Sequence, residues 1–179
     1  MNFDISLSYS KLSLAITAEV ATRSADPVEL LRSFYYNCLP YQGPRPSPEE
    51  SIRLSKSMSF MDHLRREPRY EVRLGRLKYR GNDADGQPIF QQKRVDMLLG
   101  IDIALLAGKH QISHAAILAG DSDLIPAVEV AKQEGVCAWR IHGPARSRTN
   151  GSATYARELW DIADERIELT QKFMNNCRL

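Results

Sequence analysis

The chain has 179 residues, of which 43% are hydrophobic and 26% charged, with a formal net charge of +2 at pH 7. This is the size and balance of one globular domain; no run approaches the ~18 apolar residues of a membrane span, and no signal-peptide pattern opens the chain. Cys38, Cys137 and Cys177 form no CxxC pair, which argues against a zinc knuckle or a disulfide framework and predicts reduced thiols in a cytoplasmic protein.

The first third of the chain predicts a helix, a strand and a second helix. Asp26 and Pro27 suit the N-cap and first position of a short helical segment. Residues 33–39 are rich in aromatic side chains, which predicts a strand. Residues 47–65 predict a longer helix, because a serine N-cap, a proline and two early glutamates agree with the helix dipole.

A basic strand and a hairpin come next. Residues 70–77 alternate apolar and basic side chains, as a half-exposed strand does. Residues 82–86 form a turn in which Asp85 and Gly86 are a hairpin signal. We therefore expect a hairpin insertion at residues 78–92 that projects from the main sheet.

A helix and a buried strand follow the hairpin. Apolar spacing predicts a helix over 95–107 with Gly108 as its C-cap. The leucines expected on its buried side are Leu98, Leu99, Leu105 and Leu106. Residues 114–119 are continuously apolar from Ala115, which predicts a strand covered on both faces.

The end of the chain continues this alternation. Residues 123–134 predict a helix with Asp123 as N-cap, residues 136–141 a strand, and residues 152–179 a C-terminal helical segment. Strands and helices in this order predict an α/β fold with a doubly wound, mostly parallel sheet. We expect one domain over residues 1–179.

Three carboxylates lie beside turns where no core needs them. Asp121 and Asp123 flank Ser122 where the apolar strand ends, and Asp96 lies at the start of the helix that follows the hairpin. Ligands bind at the carboxyl ends of strands in an open α/β sheet. Acidic residues that converge there predict a Mg²⁺ or Mn²⁺ site, and such a cation most often serves phosphate chemistry.

Each of these residues also has an ordinary structural explanation. Asp121 and Ser122 suit a turn, Asp123 suits an N-cap, and the helix dipole favours Asp96 in a first turn. Asp102 lies about 120° around the helix from Asp96, so the two carboxylates cannot share one face closely. We therefore rank Asp102 and Ser122 as second-tier candidates.

Basic residues concentrate in two parts of the chain. The first holds Arg65, Arg66, Arg69, Arg73, Arg76, Lys78 and Arg80, followed by Lys93 and Arg94; the second holds Arg140, His142, Arg146 and Arg148. Such runs are often only solvated faces, but beside an acidic metal centre they also suit a nucleic-acid enzyme. The predicted nucleic-acid contacts are Lys93, Arg94, Arg73, Arg76, Arg146 and Arg148.

Two motifs and the end of the chain resemble the NYN domain, the LabA-like branch of the PIN-like nuclease superfamily. The motifs are Lys93-x-Val95-Asp96 and the run Ile117-Leu118-Ala119-Gly120-Asp121-Ser122-Asp123-Leu124-Ile125-Pro126. The closing Leu159-x-x-x-Ala163-Asp164-x-x-Ile167-x-Leu169 resembles the family's final helix. The resemblance covers roughly residues 2–169. It implies a Rossmann-like α/β/α sandwich with a metal-dependent ribonuclease site. The metal-ligating and catalytic residues of the family match Asp96, Asp121 and Asp123 of this chain.

The chain departs from the family pattern at its start. The family begins with a buried strand that ends in an Asp-Gly-x-Asn turn, whose Asp is a main metal ligand. Asn2 falls where the family has the turn Asn, so the first strand and its Asp are missing, and Asn2 is a second-tier candidate. Two explanations stay open: the chain starts at an internal methionine, with the strand encoded upstream, or the protein lacks the strand.

These observations support two functional hypotheses. The first is a metal-dependent endoribonuclease that hydrolyses RNA phosphodiester bonds at an acidic Mg²⁺ or Mn²⁺ site. The alternative is a non-catalytic RNA-binding or regulatory module with the same fold and an incomplete metal site. In both, the expected partner is RNA, single-stranded or structured, with no membrane partner; a homodimer stays open.

Overall fold

The computed structural model describes residues 7–144 and 157–179, apart from the side chain of Arg157. The chain divides into two compact units. The terminal unit combines Met1–Leu31 with Gly100–Leu179, and the inserted unit is Arg32–Leu99. Within the described ranges, no helix is both long and apolar enough to cross a bilayer.

Helices alternate with parallel strands, so the predicted α/β class is confirmed. The boundary between the two units falls inside the third helix, between Leu99 and Gly100. In chain order the elements are α1 (Tyr9–Arg23), β1 (Ser33–Asn37), α2 (Pro48–Arg66), β2 (Tyr70–Leu74), β3 (Arg76–Asn82), β4 (Pro88–Lys93), α3 (Val95–Gly108), β5 (His114–Ile117), a 3-10 turn (Ser122–Leu124), α4 (Ile125–Gln133), β6 (Cys137–His142), α5 (Arg157–Ile162), β7 (Glu165–Glu168) and α6 (Gln171–Asn175).

The terminal unit contains a parallel sheet with the strand order β5–β6–β7. β6 is buried from Ala138 to His142, as expected for a central strand with both faces covered. Helices α1 and α6 contribute to the same core as the strands. The core cluster consists of Leu12, Val20, Trp139, Ile141, Ile167, Leu169, Met174 and Cys177.

The inserted unit contains two smaller sheets. β1 and β2 pair in parallel, and α2 connects them. α2 begins with a capping box, in which Ser47 Oγ accepts from the Glu50 amide and the Glu50 carboxylate accepts from the Ser47 amide. β3 and β4 form an antiparallel hairpin whose turn holds Gly86 at a φ of 77°, which glycine adopts without strain.

The predicted strand over 70–77 is interrupted at Gly75, where β2 ends and β3 begins. A Cβ atom at Gly75 would stand 2.5 Å from the Lys93 carbonyl oxygen and 2.7 Å from Val95 Cγ2. Only glycine allows the backbone to approach this closely. Gly75 therefore lets the junction between β4 and α3 pack against the carboxyl end of β2.

Two predicted helical stretches differ from the structure. The residues that follow Asp26 and Pro27 form no regular element before β1, because so short a helix is marginal unless its apolar face is packed. Residues 165–168, expected within the C-terminal helical segment, form β7. Ile167 lies beside Ile141 in the parallel register and enters the core, so tertiary packing decides the conformation there.

Two burial predictions are also wrong. Leu105 is 50% exposed, whereas Ile103 and Ala107 are buried, because residues two apart lie about 200° around a helix. The predicted strand 114–119 is not covered on both faces: Ala116 within β5 and Leu118 just after it are exposed. In the described part of the chain β5 pairs only with β6, so it is an edge strand.

The C-terminus of α3 is capped two residues later than predicted. Gly108 is still helical, and His110 adopts the left-handed conformation with a φ of 53°. The Gln111 amide donates to the Leu106 carbonyl at 3.0 Å, which is the outer hydrogen bond of a Schellman motif. A histidine therefore occupies the position where glycine is most common.

Candidate functional site

The turn after β5 brings two of the predicted site carboxylates together. Asp121 Oδ1 accepts a hydrogen bond of 3.0 Å from the Asp123 amide and caps the 3-10 turn. Leu124, at the end of this turn, is 2% exposed and anchors it. Asp121 and Asp123 are exposed, and Ser122 between them is half-buried. The two carboxylates therefore face solvent at the carboxyl end of a parallel strand, where α/β folds bind ligands.

The predicted capping role of Asp123 is wrong. The 3-10 turn intervenes between β5 and α4, so the helical start moves two residues toward the N-terminus and Asp121 becomes the cap. Leu124 precedes α4 without a side-chain cap. Because Asp123 makes no capping bond, both of its carboxylate oxygens are without a partner within the described residues.

A buried arginine supports this turn from below. Arg140 on β6 is 4% exposed, and its Nη1 donates to the Ala119 carbonyl, two residues before Asp121. Its Nε has no hydrogen-bond partner within the described residues. Burial lowers the pKa of the Arg140 guanidinium, but arginine remains charged at neutral pH. A fixed positive charge therefore lies beneath the strand end that carries the two carboxylates.

Sequence reasoning placed Arg140 in a basic surface cluster, and this interpretation is wrong. His142, from the same cluster, is also buried, and its ring meets the Trp160 ring edge-on at 4.8 Å. The signal that could have identified Arg140 is a single charged residue inside the apolar strand 136–141. Such a residue must have a specific partner, since an unpaired buried charge is costly.

Asp96 belongs to the inserted unit and lies in the first turn of α3, where it is exposed. Arg94, just before the helix, has a φ of 76°, which is strained for a side chain with a Cβ. Burial raises the pKa of the Cys38 thiol, the Lys93 backbone lowers it, and the Asp96 charge raises it further. Since Cys38 directly follows β1, Asp96 lies near the carboxyl end of that strand.

The three candidate carboxylates share one electrostatic feature. Within the described residues, none of Asp96, Asp121 and Asp123 forms an ion pair, whereas Asp62 pairs with Arg65 and Asp164 with Lys132, both at 2.8 Å. Exposed, uncompensated carboxylates are the oxygen donors that Mg²⁺ and Mn²⁺ prefer. The chemistry of this donor set therefore fits a hard divalent cation.

The described residues do not bring together enough ligands for a complete metal site. In the part of the chain that the structure describes, no three histidine, cysteine, aspartate or glutamate side chains lie close enough to hold a metal ion. Asp121 and Asp123 form a pair, and Asp96 belongs to the other unit. Asp102 is half-buried and engaged in an interaction of its own.

The predicted nucleic-acid contacts fall into three groups. Lys93, Arg94 and Arg76 are exposed, and Lys93 and Arg76 lie opposite each other on β4 and β3. Arg73 lies on β2, 3.5 Å from Glu71 and over the Phe34 ring, so its charge is partly compensated. Three predicted site residues lie outside the described residues: Asn2, Arg146 and Arg148.

Comparison with known proteins gives one family match. The family model for the NYN domain matches residues 20–165, which is most of the chain. The matched range includes Asp96, Asp102 and the turn from Asp121 to Asp123, as well as both strands of the β3–β4 hairpin. No curated protein and no solved structure gives a significant match.

Proposed function

The chain belongs to the NYN domain family of the PIN-like nuclease superfamily, and from this premise we propose that it is a metal-dependent endoribonuclease. The observation that carries the proposal is the pair of exposed carboxylates, Asp121 and Asp123, which lack an ion pair within the described residues and lie at the carboxyl end of β5. Nucleases of this superfamily typically depend on divalent metals, and carboxylates at a strand end suit that chemistry.

The proposed roles of the residues follow from their contacts. Asp121 and Asp123 would hold a divalent cation. When bound, such a cation lowers the pKa of a water molecule and neutralises charge that develops on the phosphate. Asp121 Oδ1 is engaged by the Asp123 amide, which orients the carboxylate before any ligand arrives. Arg140 holds the Ala119 carbonyl and so acts as a positioning residue for the turn.

The proposed substrate is RNA, selected by shape and by unpaired nucleotides. Sequence-specific RNA recognition usually reads unstacked bases with aromatic and polar side chains, while the backbone is held by cations. Around Asp121 and Asp123 the neighbouring described residues are small or aliphatic, from Leu118 to Pro126. We therefore expect cleavage with little base preference.

The test is cleavage of labelled single-stranded RNA with Mg²⁺ or Mn²⁺, compared for the unmodified chain, Asp121→Asn and Glu129→Gln. Glu129 is exposed on α4 and forms no ion pair within the described residues, so its substitution removes the same charge from the same unit. We expect Asp121→Asn to reduce cleavage to background while Glu129→Gln cleaves normally. Full cleavage by Asp121→Asn would refute the assignment of the site.

A non-catalytic RNA-binding or regulatory module is the second candidate function. It is favoured by the lack of any group of three metal-ligating side chains among the described residues. In that case the chain would bind RNA but would cleave it with neither cation. The same assay therefore separates the two functions, provided that binding is measured beside cleavage.

A further inference from the structure

The β3–β4 hairpin presents a row of uncompensated positive charges. Side chains two residues apart lie on one face of a strand, which places Arg76, Lys78 and Arg80 of β3 together. Across the hairpin, Lys93 lies opposite Arg76 and Gln91 lies opposite Lys78. We call this surface, made of Arg76, Lys78, Arg80 and Lys93, the cationic face. All four of its residues are exposed.

Aromatic side chains pack together on the other face of the hairpin. Tyr79 and Phe90 are cross-strand partners, with ring centroids 5.9 Å apart. Tyr41, from the loop after β1, contacts both rings, at 6.0 Å from Tyr79 and 5.1 Å from Phe90. These contacts hold the hairpin on the inserted unit by one face and leave the cationic face directed outward.

Within the described residues, no carboxylate pairs with any of these four cations. Arg76 and Lys93 are direct cross-strand partners, and like charges in that position destabilise a hairpin. The nearby Asp83 is occupied by the turn, since its Oδ1 accepts from the amides of Asp85 and Gln87. By contrast, Arg32 and Arg65 elsewhere in the inserted unit have acidic partners. The cationic face therefore lacks the counter-charge that other arginines of this unit have.

One of the four side chains is held in a set orientation. Arg80 donates from Nε and Nη2 to the Gln91 side-chain oxygen, at 2.9 and 2.7 Å. Two donors of the guanidinium are thereby held by one oxygen, while Nη1 has no hydrogen-bond partner within the described residues. A planar, oriented guanidinium matches the oxygens of a phosphate better than a mobile ammonium does.

We propose that the cationic face binds the phosphate backbone of a nucleic acid without reading its sequence. Charges along β3 repeat every ~6.8 Å, which suits a chain of regularly spaced anions better than an isolated acidic side chain. The proposal rests on the proposed function for the identity of this polyanion, namely RNA. It adds Lys78 and Arg80 to the predicted contacts and places the binding surface on the hairpin rather than on β2.

The test is the salt dependence of RNA binding, measured with EDTA present so that cleavage does not interfere. Fluorescence anisotropy of a short labelled single-stranded RNA would be followed at several salt concentrations for the unmodified chain and for R76Q/K78Q/R80Q/K93Q. Each lost phosphate contact reduces the slope of log K against log salt by ~0.7 for a single strand, so four contacts predict a reduction of ~3.

Two further variants make the result specific to the cationic face. R53Q/K56Q/R65Q/R66Q removes four exposed cations from α2 and should leave the slope nearly unchanged. R76K/R80K keeps the charges and should also keep most of the slope. An equal loss of slope in the α2 variant, or none in the hairpin variant, would overturn the proposal. So would a hairpin variant that loses binding to phosphatidylserine vesicles but not to RNA.

The outcome separates this inference from the proposed function. If the hairpin variant loses binding but the unmodified chain never cleaves RNA with either metal, the cationic face stands and the nuclease does not. If cleavage depends on Asp121 while the hairpin variant binds normally, the nuclease stands and the cationic face is refuted.

Discussion

The two units place their candidate carboxylates in similar positions but support them differently. Each places exposed carboxylates at the carboxyl ends of parallel strands: Asp121 and Asp123 in the terminal unit, and Asp96 in the inserted unit. In the terminal unit the supporting strand β6 is almost fully buried, whereas every residue of β1 and β2 is only half-buried. The difference indicates that a packed core fixes the Asp121 turn, while local backbone contacts such as that at Gly75 fix Asp96.

The positively charged residues of the two units also differ in burial. In the terminal unit an arginine is buried beneath the candidate site and bonded to the backbone. In the inserted unit the basic residues of the hairpin are exposed and lack acidic partners within the described ranges. A buried cation needs partners inside the protein, since burying an unpaired charge is costly, whereas an exposed row of cations is available to a ligand. In the proposed function, Asp121 and Asp123 of the terminal unit carry the metal chemistry, and the hairpin of the inserted unit binds RNA.

The largest expected effect is on the core of the terminal unit. Trp139 is 2% exposed and packs beneath the Arg23 guanidinium, which lies 4.7 Å from its ring. Trp139→Ala should lower the free energy of unfolding by ~3–5 kcal/mol, measured by urea denaturation. The control is Trp160→Ala, since Trp160 is only half-buried and its loss should cost clearly less. Equal losses in the two variants would contradict the assignment of the core.

A smaller effect is expected at the contact that fixes Asp96. Gly75→Ala would force a Cβ atom against the Lys93 carbonyl and Val95, and overpacking of this kind costs ~1–3 kcal/mol. Gly108→Ala is the matched control, because its added Cβ meets no atom of the described residues within 4 Å and lies in a helix, where alanine is favoured by ~0.5–1 kcal/mol. The two substitutions should therefore change urea stability in opposite directions. Destabilisation by both would show that the close approach at Gly75 is not the cause.

The smallest expected effect is on stability, through the pH-dependent ion pair between Asp164 and Lys132 of the terminal unit. Desolvation alone would raise the pKa of Asp164, but hydrogen bonds from Lys132 and from the Ala138 amide outweigh it, so the pKa is lowered. The folded pKa then lies below the unfolded value of ~3.9. Asp164 therefore contributes stability above that pH, and the contribution is lost as pH falls through the folded pKa.

The stability difference between the unmodified chain and Asp164→Asn should accordingly be present near neutral pH and shrink in strong acid. Thermal unfolding at a series of pH values measures it. Lys132→Met, which removes the first of the favourable partners, should weaken the same pH dependence. A difference between the unmodified chain and Asp164→Asn that stays constant down to the lowest pH would rule out this role for the carboxylate.

Local signals in the sequence predicted the elements whose conformation depends on near neighbours. The Ser47 N-cap of α2 and the Asp85–Gly86 turn are both present where expected. The parallel α/β class also followed from the alternation of strand and helix patterns. In these cases the residues that decide the conformation lie within a few positions of each other.

The features that sequence reasoning missed depend on distant partners. β7 forms because Ile167 packs beside Ile141, and the break at Gly75 is imposed by Lys93. Arg140 is buried because its partner is the Ala119 carbonyl on the neighbouring strand. Strand pairing and close backbone approach between segments far apart in sequence leave no periodic pattern, so composition and spacing alone do not predict them.

The proposed function depends above all on the carboxylates after β5, which would hold a divalent cation. The most direct measurement is Mn²⁺ binding by electron paramagnetic resonance, without RNA, for the unmodified chain, Asp121→Asn and Glu129→Gln. We expect the unmodified chain and Glu129→Gln to bind Mn²⁺ alike and Asp121→Asn to bind it much more weakly. Equal binding by all three proteins, or no binding by the unmodified chain, would show that these carboxylates do not hold the cation.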